Sequence, residues 1–388
     1  MAHIRVLHLF HEYLRLTENW AFRLISHLPD CELFIGSRYF LKNNFYSPHV
    51  HYVEFPLVPV RGPQLFRWMK LLNLLTSFAQ NLFYGEYIAR TCRAIDVMHS
   101  HFSFVGWQYR RLAARLKVPH IVSFYGVDYE HFPHVNPVWK ARYERLFRKA
   151  DLFLCEGSHG AETLRTMGCP KEKVRVARLG VDVELIPFFR RAKRRGELRL
   201  LQVATFLEKK GYPYTVDAFL RVSKDCPHMT LTLVGADGDG TKKRIQEALK
   251  EVSAADRISF IDRIDFSKLH RFMQDYQVLI QPSCYSSQRD CEGGAPVVLL
   301  DAQATGMPVI ATRHCDIPEE VLHGESGLLS PERDAEALTS SIKTFYEMGQ
   351  AEYDRYSDNA RHHVQANYAI QRNAAALRQI YEQVRRCR

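Results

Sequence analysis

The sequence predicts an α/β protein built from two doubly wound parallel-sheet domains that face each other across a cleft. Three observations lead to this prediction. The chain has 388 residues, which exceeds one ordinary hydrophobic core and suits two domains of roughly 150–200 residues. Short apolar runs alternate with helical patterns, as in parallel sheets covered on both faces. The alternation breaks once, near residues 184–197, and then restarts. Both halves are therefore expected to be Rossmann-like.

Strand and helix patterns alternate through the first half, residues 1–184. Helical patterns such as WQYRRLAARLK separate the strands, and the strand-like runs are IRVLHLF, CELFIGS, AIDVMHSHF, PHIVSFYG and ADLFLCEGS. The later runs end in polar or glycine residues. Because ligands of open α/β sheets bind outside the carboxyl ends of the strands, we expect these ends to line the cleft.

A linker, residues 185–197, follows; it contains a proline and a dense basic run. The alternation restarts in residues 198–365, with strand-like runs LRLLQVATF, MTLTLVG, RISFIDR, YQVLIQPS and PVIATRH. Residues 366–388 form an amphipathic helical pattern, which we expect to pack back on the first domain.

The net charge of +10 raises the question of an anionic partner. Basic residues cluster in FFRRAKRRGELR and WQYRRLAARLK, either as solvated faces or as sites that adsorb to an anionic membrane. No finger, RNP or helix-turn-helix signature accompanies the charge, so nucleic acid is not the expected partner. Residues 67–90 read either as a buried core helix or as an interfacial membrane helix.

The nine cysteines are scattered, without a CxxC pair, which favours reduced thiols in the cytoplasm over disulfides or a zinc site. No signal peptide and no transmembrane helix is expected. We therefore expect a cytoplasmic protein, with peripheral attachment to the cytoplasmic face of the membrane as a further hypothesis.

The stretch CEGGAPVVLLDAQATG predicts a ligand site at the start of a helix. Pro296 suits a first turn and Gly306 a left-handed end, so the helix should span about residues 296–305. Gly293, Gly294 and Ala295 then precede it, where free N–H groups favour a phosphate or a sugar hydroxyl. Asp301 would point back toward the same mouth and accept paired ribose hydroxyls, unless a neighbouring Arg or backbone amides satisfy it.

Two further loops carry charged residues at strand ends. Lys209 and Lys210 follow the strand LRLLQVATF and are placed to bind a diphosphate, although a solvated lysine pair is common. Asp237 and Asp239 form a DxD in a glycine-rich turn, where turn chemistry is commoner than metal binding. We expect no metal and no tightly bound cofactor.

In the first half, the strand ends HSHF and SFYGVDYEH supply His101, Tyr125 and Asp128. These residues are candidates for acceptor or sugar contacts. Each of them could equally cap a helix or pack in the core.

Together these pieces resemble family 4 of the retaining glycosyltransferases, which adopt the GT-B fold of two facing Rossmann-like domains. The likeness covers nearly the whole chain and is most specific in EKKG, EGGAPVVLLDAQATGMPVIAT and DIPEEVLHGESGLL. Within the family, EKKG, DCEGGAP and RHCDIPE are similar to enzymes that build bacterial surface polysaccharides of the colanic-acid type.

The resemblance implies roles for individual residues. Glu292, Gly293 and Gly294 would hold the donor sugar, Asp301 the nucleotide ribose, and Lys210 the diphosphate. Donor binding would also involve Thr205 and Ala295. Lys210, Glu292 and Asp128 are the candidate catalytic residues.

The chain departs from the family pattern in four places. Eight residues separate Glu292 from Asp301, one more than in the family pattern. Asp301 stands where glutamate is usual, Thr205 where arginine is common, and Tyr125 where histidine is common.

The function expected from the resemblance is transfer of a sugar from a nucleotide diphosphate sugar to a hydroxyl of a saccharide or lipid-linked acceptor, with retention at the anomeric carbon. The enzyme would be hexosyltransferase-like and would act in polysaccharide or glycolipid biosynthesis. Two alternatives stay open: a sugar-nucleotide epimerase of the same fold, and a basic lipid- or nucleic-acid-binding protein with a degenerate site.

Overall fold

The computed structural model describes residues 3–15, 18–43, 45–55, 86–88, 90–91 and 94–387. Within these ranges the chain forms two parallel sheets flanked by helices, which confirms the predicted fold class. Most of residues 67–90, interpreted above as a core or interfacial helix, lie outside the described residues. Of the helices in the described part of the chain, none is long and apolar enough to cross a bilayer.

The first domain is built on a seven-stranded sheet in the order β3-β2-β1-β4-β5-β6-β7. Every pairing in it is parallel. Its strands are β1 (Ile4–Leu9), β2 (Cys31–Ser37), β3 (Val50–Glu54), β4 (Val97–His101), β5 (His120–Ser123), β6 (Leu152–Cys155) and β7 (Val174–Val176). The chain order reverses direction between β1 and β4, which is the type of switch point where ligands bind in open sheets.

The second domain is built on a six-stranded parallel sheet in the order β10-β9-β8-β11-β12-β13. Its strands are β8 (Leu198–Val203), β9 (Met229–Val234), β10 (Ile258–Ile261), β11 (Val278–Gln281), β12 (Val309–Thr312) and β13 (Gly327–Ser330). Here the switch point lies between β8 and β11.

Helices cover both sheets. In the first half they are α1 (Asn19–Ser26), α2 (Ser103–Leu116), α3 (Gly126–Tyr129), α4 (His131–Val135), α5 (Val138–Lys149) and α6 (Ser158–Thr166). In the second half they are α7 (Tyr212–Ser223), α8 (Thr241–Leu249), α9 (Phe266–Met273), α10 (Val298–Ala304), α11 (Ile317–Glu320), α12 (Ala335–Glu347), α13 (Gln350–Asn367) and α14 (Ile370–Arg386).

The strand β1 shows why near-continuous apolar runs form the sheet. Val6 belongs to the core on the side of α1 and α14, whereas Leu7 belongs to the core on the side of α2. Successive side chains of a strand point to opposite faces, so a strand covered on both faces buries both sets of side chains. A near-continuous apolar run therefore indicates a strand that has helices on both sides.

The basic run between β7 and β8 is not simply a solvated face. Arg191 and Lys193 are buried. The Arg191 guanidinium donates to the main-chain oxygen and the hydroxyl of Thr305, both at 2.8 Å, and to the carbonyl of Met273 at 3.2 Å. Lys193 donates to the carbonyl of Tyr346. The charges of Arg191 and Lys193 are therefore bound inside the second half and do not face solvent. They cannot contribute to adsorption of this run to a membrane.

The C-terminal helix α14 returns to the first sheet. Leu377 and Tyr381 are buried in the core beside α1, and the Tyr381 hydroxyl hydrogen-bonds Nδ1 of His99 on β4 at 2.8 Å. The chain crosses over at Ile370, whose N–H donates to the carbonyl of Val181 at 3.0 Å. The first core is therefore completed by residues from both ends of the sequence.

Candidate active site

The loop before α10 brings the two domains into contact. Gly293 has a φ of +81°, which a glycine adopts without strain. A Cβ on Gly293 would collide with the backbone of Gly126, and one on Gly294 would collide with the Glu156 side chain. The lack of side chains at both positions allows the first domain to approach this loop closely.

The helix that follows is slightly shorter than predicted. It spans Val298–Ala304, because Pro296 and Val297 form its first, partly bonded turn and Thr305 its end. Gly306 lies just past that end with a φ of +78°, in the predicted left-handed conformation. Asp301 sits in the middle of the helix and points to the cleft, where its carboxylate is 3% exposed.

A cavity of about 420 Å³ lies between the domains. Five residues of the predicted donor set line it: Thr205, Lys210, Glu292, Ala295 and Asp301. Gly293 and Gly294 form the adjoining domain contact instead. From the first domain, the cavity walls include Trp20, Arg23, Tyr125 and Glu156. A second cavity of about 440 Å³, beside α4 and α5, contains none of the predicted site residues.

Lys210 and Glu292 form a closely packed ion pair in this cavity. The distance from Nζ of Lys210 to Oε2 of Glu292 is 2.6 Å, and the side chains are only 16% and 6% exposed. The other oxygen of Glu292 accepts a hydrogen bond from Ser283 at 2.8 Å. Burial alone would raise the pKa of Glu292, but Lys210 and Lys209 outweigh it and lower that pKa to about 2. Glu292 is therefore ionised at neutral pH.

The neighbouring Lys209 has a different set of contacts. Its ammonium donates to the carbonyl of Cys291 at 2.9 Å and to Asp290 at 3.1 Å, so it ties down the loop that carries Glu292. Burial lowers the pKa of Lys209, yet the carboxylates of Glu292 and Asp290 raise it above its ordinary value. Both lysines of EKKG line the cavity, but Lys209 anchors the loop that carries Glu292, whereas Lys210 pairs with Glu292 itself.

Asp301 is fully partnered, as one of the two open interpretations requires. Arg23 of α1 donates to both carboxylate oxygens, at 3.1 and 3.3 Å, and His270 of α9 hydrogen-bonds one of them at 2.8 Å. Burial raises the pKa of Asp301, but Arg23 and His270 overcome it and hold the pKa below its usual range. The Arg23 pair joins residues from opposite sides of the cleft.

The acceptor-side candidates separate into one cavity residue and two interior ones. Tyr125 lines the cavity, and its hydroxyl hydrogen-bonds Nδ1 of His101 at 2.9 Å. His101 is fully buried, and its other nitrogen contacts Nδ1 of His8 at 3.0 Å. Burial, and then the His8 ring, lower the pKa of His101 well below its ordinary value. His101 is thus placed to support Tyr125 from behind.

Asp128 acts as a cap. Its carboxylate accepts from the N–H of Ser103 at 3.1 Å, the hydroxyl of Ser103 at 2.6 Å and the N–H of Tyr125 at 2.9 Å, and its side chain is 0% exposed. These bonds satisfy the first turns of α2 and α3. Asp128 does not line the cavity. Its geometry supports an architectural role rather than the catalytic role considered from the sequence.

Replacing Asp128 should change how stability depends on pH. Burial raises the pKa of Asp128 to about 7 against its three hydrogen bonds, whereas an unfolded aspartate has a pKa of about 3.9. The folded state then holds a proton that the unfolded state has released, so stability falls as the pH rises from about 4 to 7. Asp128→Asn should remove this component. Apparent melting temperatures against pH, with the exposed Asp275→Asn as control, measure it; parallel parent and Asp128→Asn profiles would contradict it.

Glu156 is a cavity residue that the sequence did not single out. It follows β6 directly, at the edge of the sheet that faces the cleft, and its side chain lines the cavity near Glu292. Burial, reinforced by Asp316 and Glu292, raises the pKa of Glu156 well above its usual range. The feature of the sequence that could have indicated Glu156 is its position at the end of a strand-like run, in CEGS. Two neighbouring carboxyl groups whose pKa values are shifted in opposite directions are typical of functional sites.

Two groups with the composition of metal sites are occupied by hydrogen bonds. In the described part of the chain, His8, His99 and His101 bring ring nitrogens within 4.8 Å of one another. Both nitrogens of His99 already bond Tyr381 and Ser123. In the DxD, Asp239 accepts from Thr241 and from the N–H of Glu208, which is the chemistry of a turn.

Two family models match consecutive parts of the chain. The model described as Glycosyltransferase Family 4 matches residues 41–185, and the model described as Glycosyl transferases group 1 matches residues 186–363. The boundary between them coincides with the segment that joins the two sheets. Together the two matches contain most of the cavity-lining residues.

Two similar curated relatives are named for the biosynthesis of surface polysaccharides. The chain is 31% identical over 295 residues to the putative colanic acid biosynthesis glycosyltransferase WcaL of Salmonella typhimurium, covering 73% of this chain and 70% of the relative. It is 30% identical over 252 residues to the amylovoran biosynthesis glycosyltransferase AmsK of Erwinia amylovora, covering 64% of this chain but only 61% of the relative.

Solved structures share the fold. Sucrose-phosphate synthase from Thermosynechococcus elongatus superposes with a TM-score of 0.79 at 21% identity, covering 99% of this chain and 100% of that one. Anabaena Alr3699/HepE in complex with UDP-glucose superposes with a TM-score of 0.76 at 16% identity, covering 98% and 99%. Both likenesses concern the two-domain architecture.

Proposed function

The chain belongs to the group 1 glycosyl transferases, with a first half of the family 4 type, and from this premise we propose that it transfers a sugar from a nucleotide diphosphate sugar to an acceptor hydroxyl with retention of configuration. The observation that carries the proposal is the cavity between the domains. Thr205 and Lys210 meet there with Glu292, Ala295 and Asp301; Lys210 and Glu292 are 82 positions apart in the sequence.

Each of these groups has a role that its chemistry supports. Lys210 supplies a cation for the diphosphate and absorbs charge as the bond to the sugar breaks. Glu292 is an ionised acceptor for sugar hydroxyls, and Asp301 is an ionised acceptor for the ribose hydroxyls. Tyr125 and Glu156 line the cavity from the first domain, where the acceptor would bind.

The reaction breaks the bond between the anomeric carbon and the diphosphate oxygen and forms one to the acceptor oxygen on the same face. The acceptor proton passes to the departing phosphate oxygen. The loop at Gly293 contacts Gly126 of the first domain, and closure of the two domains around a donor would restrict water that could hydrolyse it.

For the physiological role, we propose a step in the synthesis of a surface polysaccharide, with a saccharide or lipid-linked acceptor. The similarity to WcaL and AmsK supports it. Attachment to an anionic membrane remains a hypothesis, since Arg191 and Lys193 are buried. Failure to sediment with vesicles containing anionic lipid at moderate salt would contradict it.

A screen of nucleotide sugars tests the proposed function. A true donor should raise the melting temperature, because a ligand that binds the folded state stabilises it. The donor is then incubated with saccharide acceptors, and the anomeric configuration of the product is determined by NMR. Conversion of the sugar without any acceptor would instead indicate an epimerase. Absence of binding by every nucleotide sugar, with adsorption that falls steeply with salt, would indicate a basic binding protein.

A further inference from the structure

One cation in the interdomain cavity comes from the first domain. Arg23 lies in the last turn of α1 and reaches across the cleft to both oxygens of Asp301, at 3.1 and 3.3 Å. Its guanidinium also lies 4.1 Å from the ring centroid of Phe266 on α9. The two charged side chains are 11% and 4% exposed. Arg23 is therefore held by the second domain while its backbone belongs to the first.

This ion pair competes with the ribose. The argument rests on the proposed function, in which Asp301 accepts the ribose hydroxyls of the donor. The two N–H groups of Arg23 now occupy both carboxylate oxygens, and His270 takes a further position on one of them. A ribose diol offers two O–H donors of similar spacing. A carboxylate has about four acceptor positions and three are taken, so a diol that donates twice must displace a present partner. Arg23, whose contacts of 3.1 and 3.3 Å are longer than the 2.8 Å contact of His270, is the partner we expect to leave.

A displaced guanidinium needs a new anion, because an unpaired charge in a closed cavity is costly. Three cations line the cavity: Arg23, Lys209 and Lys210. Lys209 is bound to Asp290 and the carbonyl of Cys291, and Lys210 is bound to Glu292. The donor would compete for Asp301 through its ribose, and Arg23 would then need a second partner.

The donor supplies the anion that Arg23 would need. A diphosphate has several charged oxygens, and the planar guanidinium suits bidentate contacts to phosphate. The lining cations of the second domain, Lys209 and Lys210, are already paired with Asp290 and Glu292. Arg23 would add a positive charge to the diphosphate from the opposite wall of the cavity.

We infer that Arg23 is a donor-binding residue contributed by the first domain: on donor binding it passes Asp301 to the ribose and takes the diphosphate as its partner. The exchange keeps every buried charge paired in both states. The donor would then contact Arg23 of the first domain and Asp301 of the second domain. These contacts would replace the direct ion pair between Arg23 and Asp301.

Calorimetric titration of the full chain separates this role from a purely structural one. UDP, GDP, ADP and CDP are titrated into the parent protein, each alongside its nucleoside, and the tightest nucleotide is carried forward. Arg23→Ala should bind that diphosphate about 10–100-fold more weakly, from loss of a charge-assisted contact. It should bind the nucleoside equally well or more tightly, because the competitor for Asp301 is gone.

Two further variants complete the design. Arg23→Gln keeps an amide donor for Asp301 but loses the charge, and it should show the same selective loss of diphosphate affinity even if Arg23→Ala folds poorly. Arg271→Ala removes an exposed arginine from α9, outside the cavity, and should change neither affinity. Circular dichroism and melting curves establish that each variant is folded.

The outcomes separate the inference from the proposed function. If the parent binds none of the four diphosphates, the proposed donor class is wrong and the inference falls with it. If the parent binds one and a folded Arg23 variant binds it equally well, the inference is overturned and the proposed function stands. Equal weakening of nucleoside and diphosphate would also overturn it, since Arg23 would then only shape the ribose site.

Discussion

Lys210→Ala should reduce sugar transfer by about 10²–10³-fold, the usual effect of losing one preorganised group that stabilises developing charge. Lys210 is a lysine of EKKG whose ammonium lines the cavity, and it is 16% exposed there. Its present partner, Glu292, would share it with the diphosphate. The measurement is kcat with saturating acceptor, using the exposed Lys243→Ala as the control for loss of one positive charge.

The same variant should also alter stability in acid. Glu292 has a folded pKa of about 2, below the value near 4.3 of an unfolded glutamate. A depressed pKa stabilises the folded state above the unfolded pKa, and this contribution is lost as the pH falls toward 2. Without Lys210 the pKa of Glu292 should rise, so this contribution to stability should become smaller.

A Lys210→Ala protein that turns over donor at the parent rate would contradict the assignment of Lys210 to the site.

Glu292→Gln should lower kcat by about 10–100-fold while leaving the binding of nucleoside diphosphate intact or tighter. The substitution keeps the shape of the side chain but replaces a charged acceptor by a neutral one, and hydrogen bonds to charged groups contribute about 1.5–3 kcal/mol. It also releases Lys210 from its internal anion at 2.6 Å, so the ammonium becomes more available to the diphosphate. The expected signature is a loss in kcat without a loss in nucleotide affinity.

This result bears on whether the side chain or only the neighbouring backbone touches the sugar. Glu336→Gln, an exposed glutamate of α12, is the matched control. If Glu292→Gln retains the parent kcat, the carboxylate makes no contact that matters in the transition state. Glu292 would then serve to hold Lys210 and Ser283, and the sugar would be recognised by backbone groups and the first domain.

The architecture could be predicted because its signals are local. A strand that is buried on both faces appears in the sequence as a short apolar run. The polar residues that follow these runs lie at the edge of the sheet that faces the cleft. The helix of residues 298–304 lay within two residues of its predicted bounds, and Gly306 has the predicted left-handed conformation. The family pattern then directed attention to Lys210, Glu292 and Asp301, which share one cavity.

The partners of these residues could not be predicted, because they depend on packing between distant segments. Arg23 and Asp301 are 278 positions apart and meet only when the two domains face each other. In the sequence, nothing distinguishes Glu156 from other residues at strand ends. Its role in the cavity follows from the packing of Gly294 against its side chain. Asp128 and His101 are residue types that often act in catalysis, and the sequence alone does not show that they are buried. In the structure they are enclosed by α2, α3 and β1.

The sequence by itself determined the two parallel-sheet domains, because hydrophobic period and turn chemistry act over a few residues. Together with the family resemblance it also indicated five residues of the second domain that line the cavity: Thr205, Lys210, Glu292, Ala295 and Asp301. Only the tertiary structure decided which charges pair. It distinguished Lys209, which anchors the loop before Glu292, from Lys210, which pairs with Glu292; it also buried Arg191 and Lys193 and joined Asp301 to Arg23. The physical reason is that a buried charge is tolerated only beside its partner, and the partner's position is set by how the domains pack.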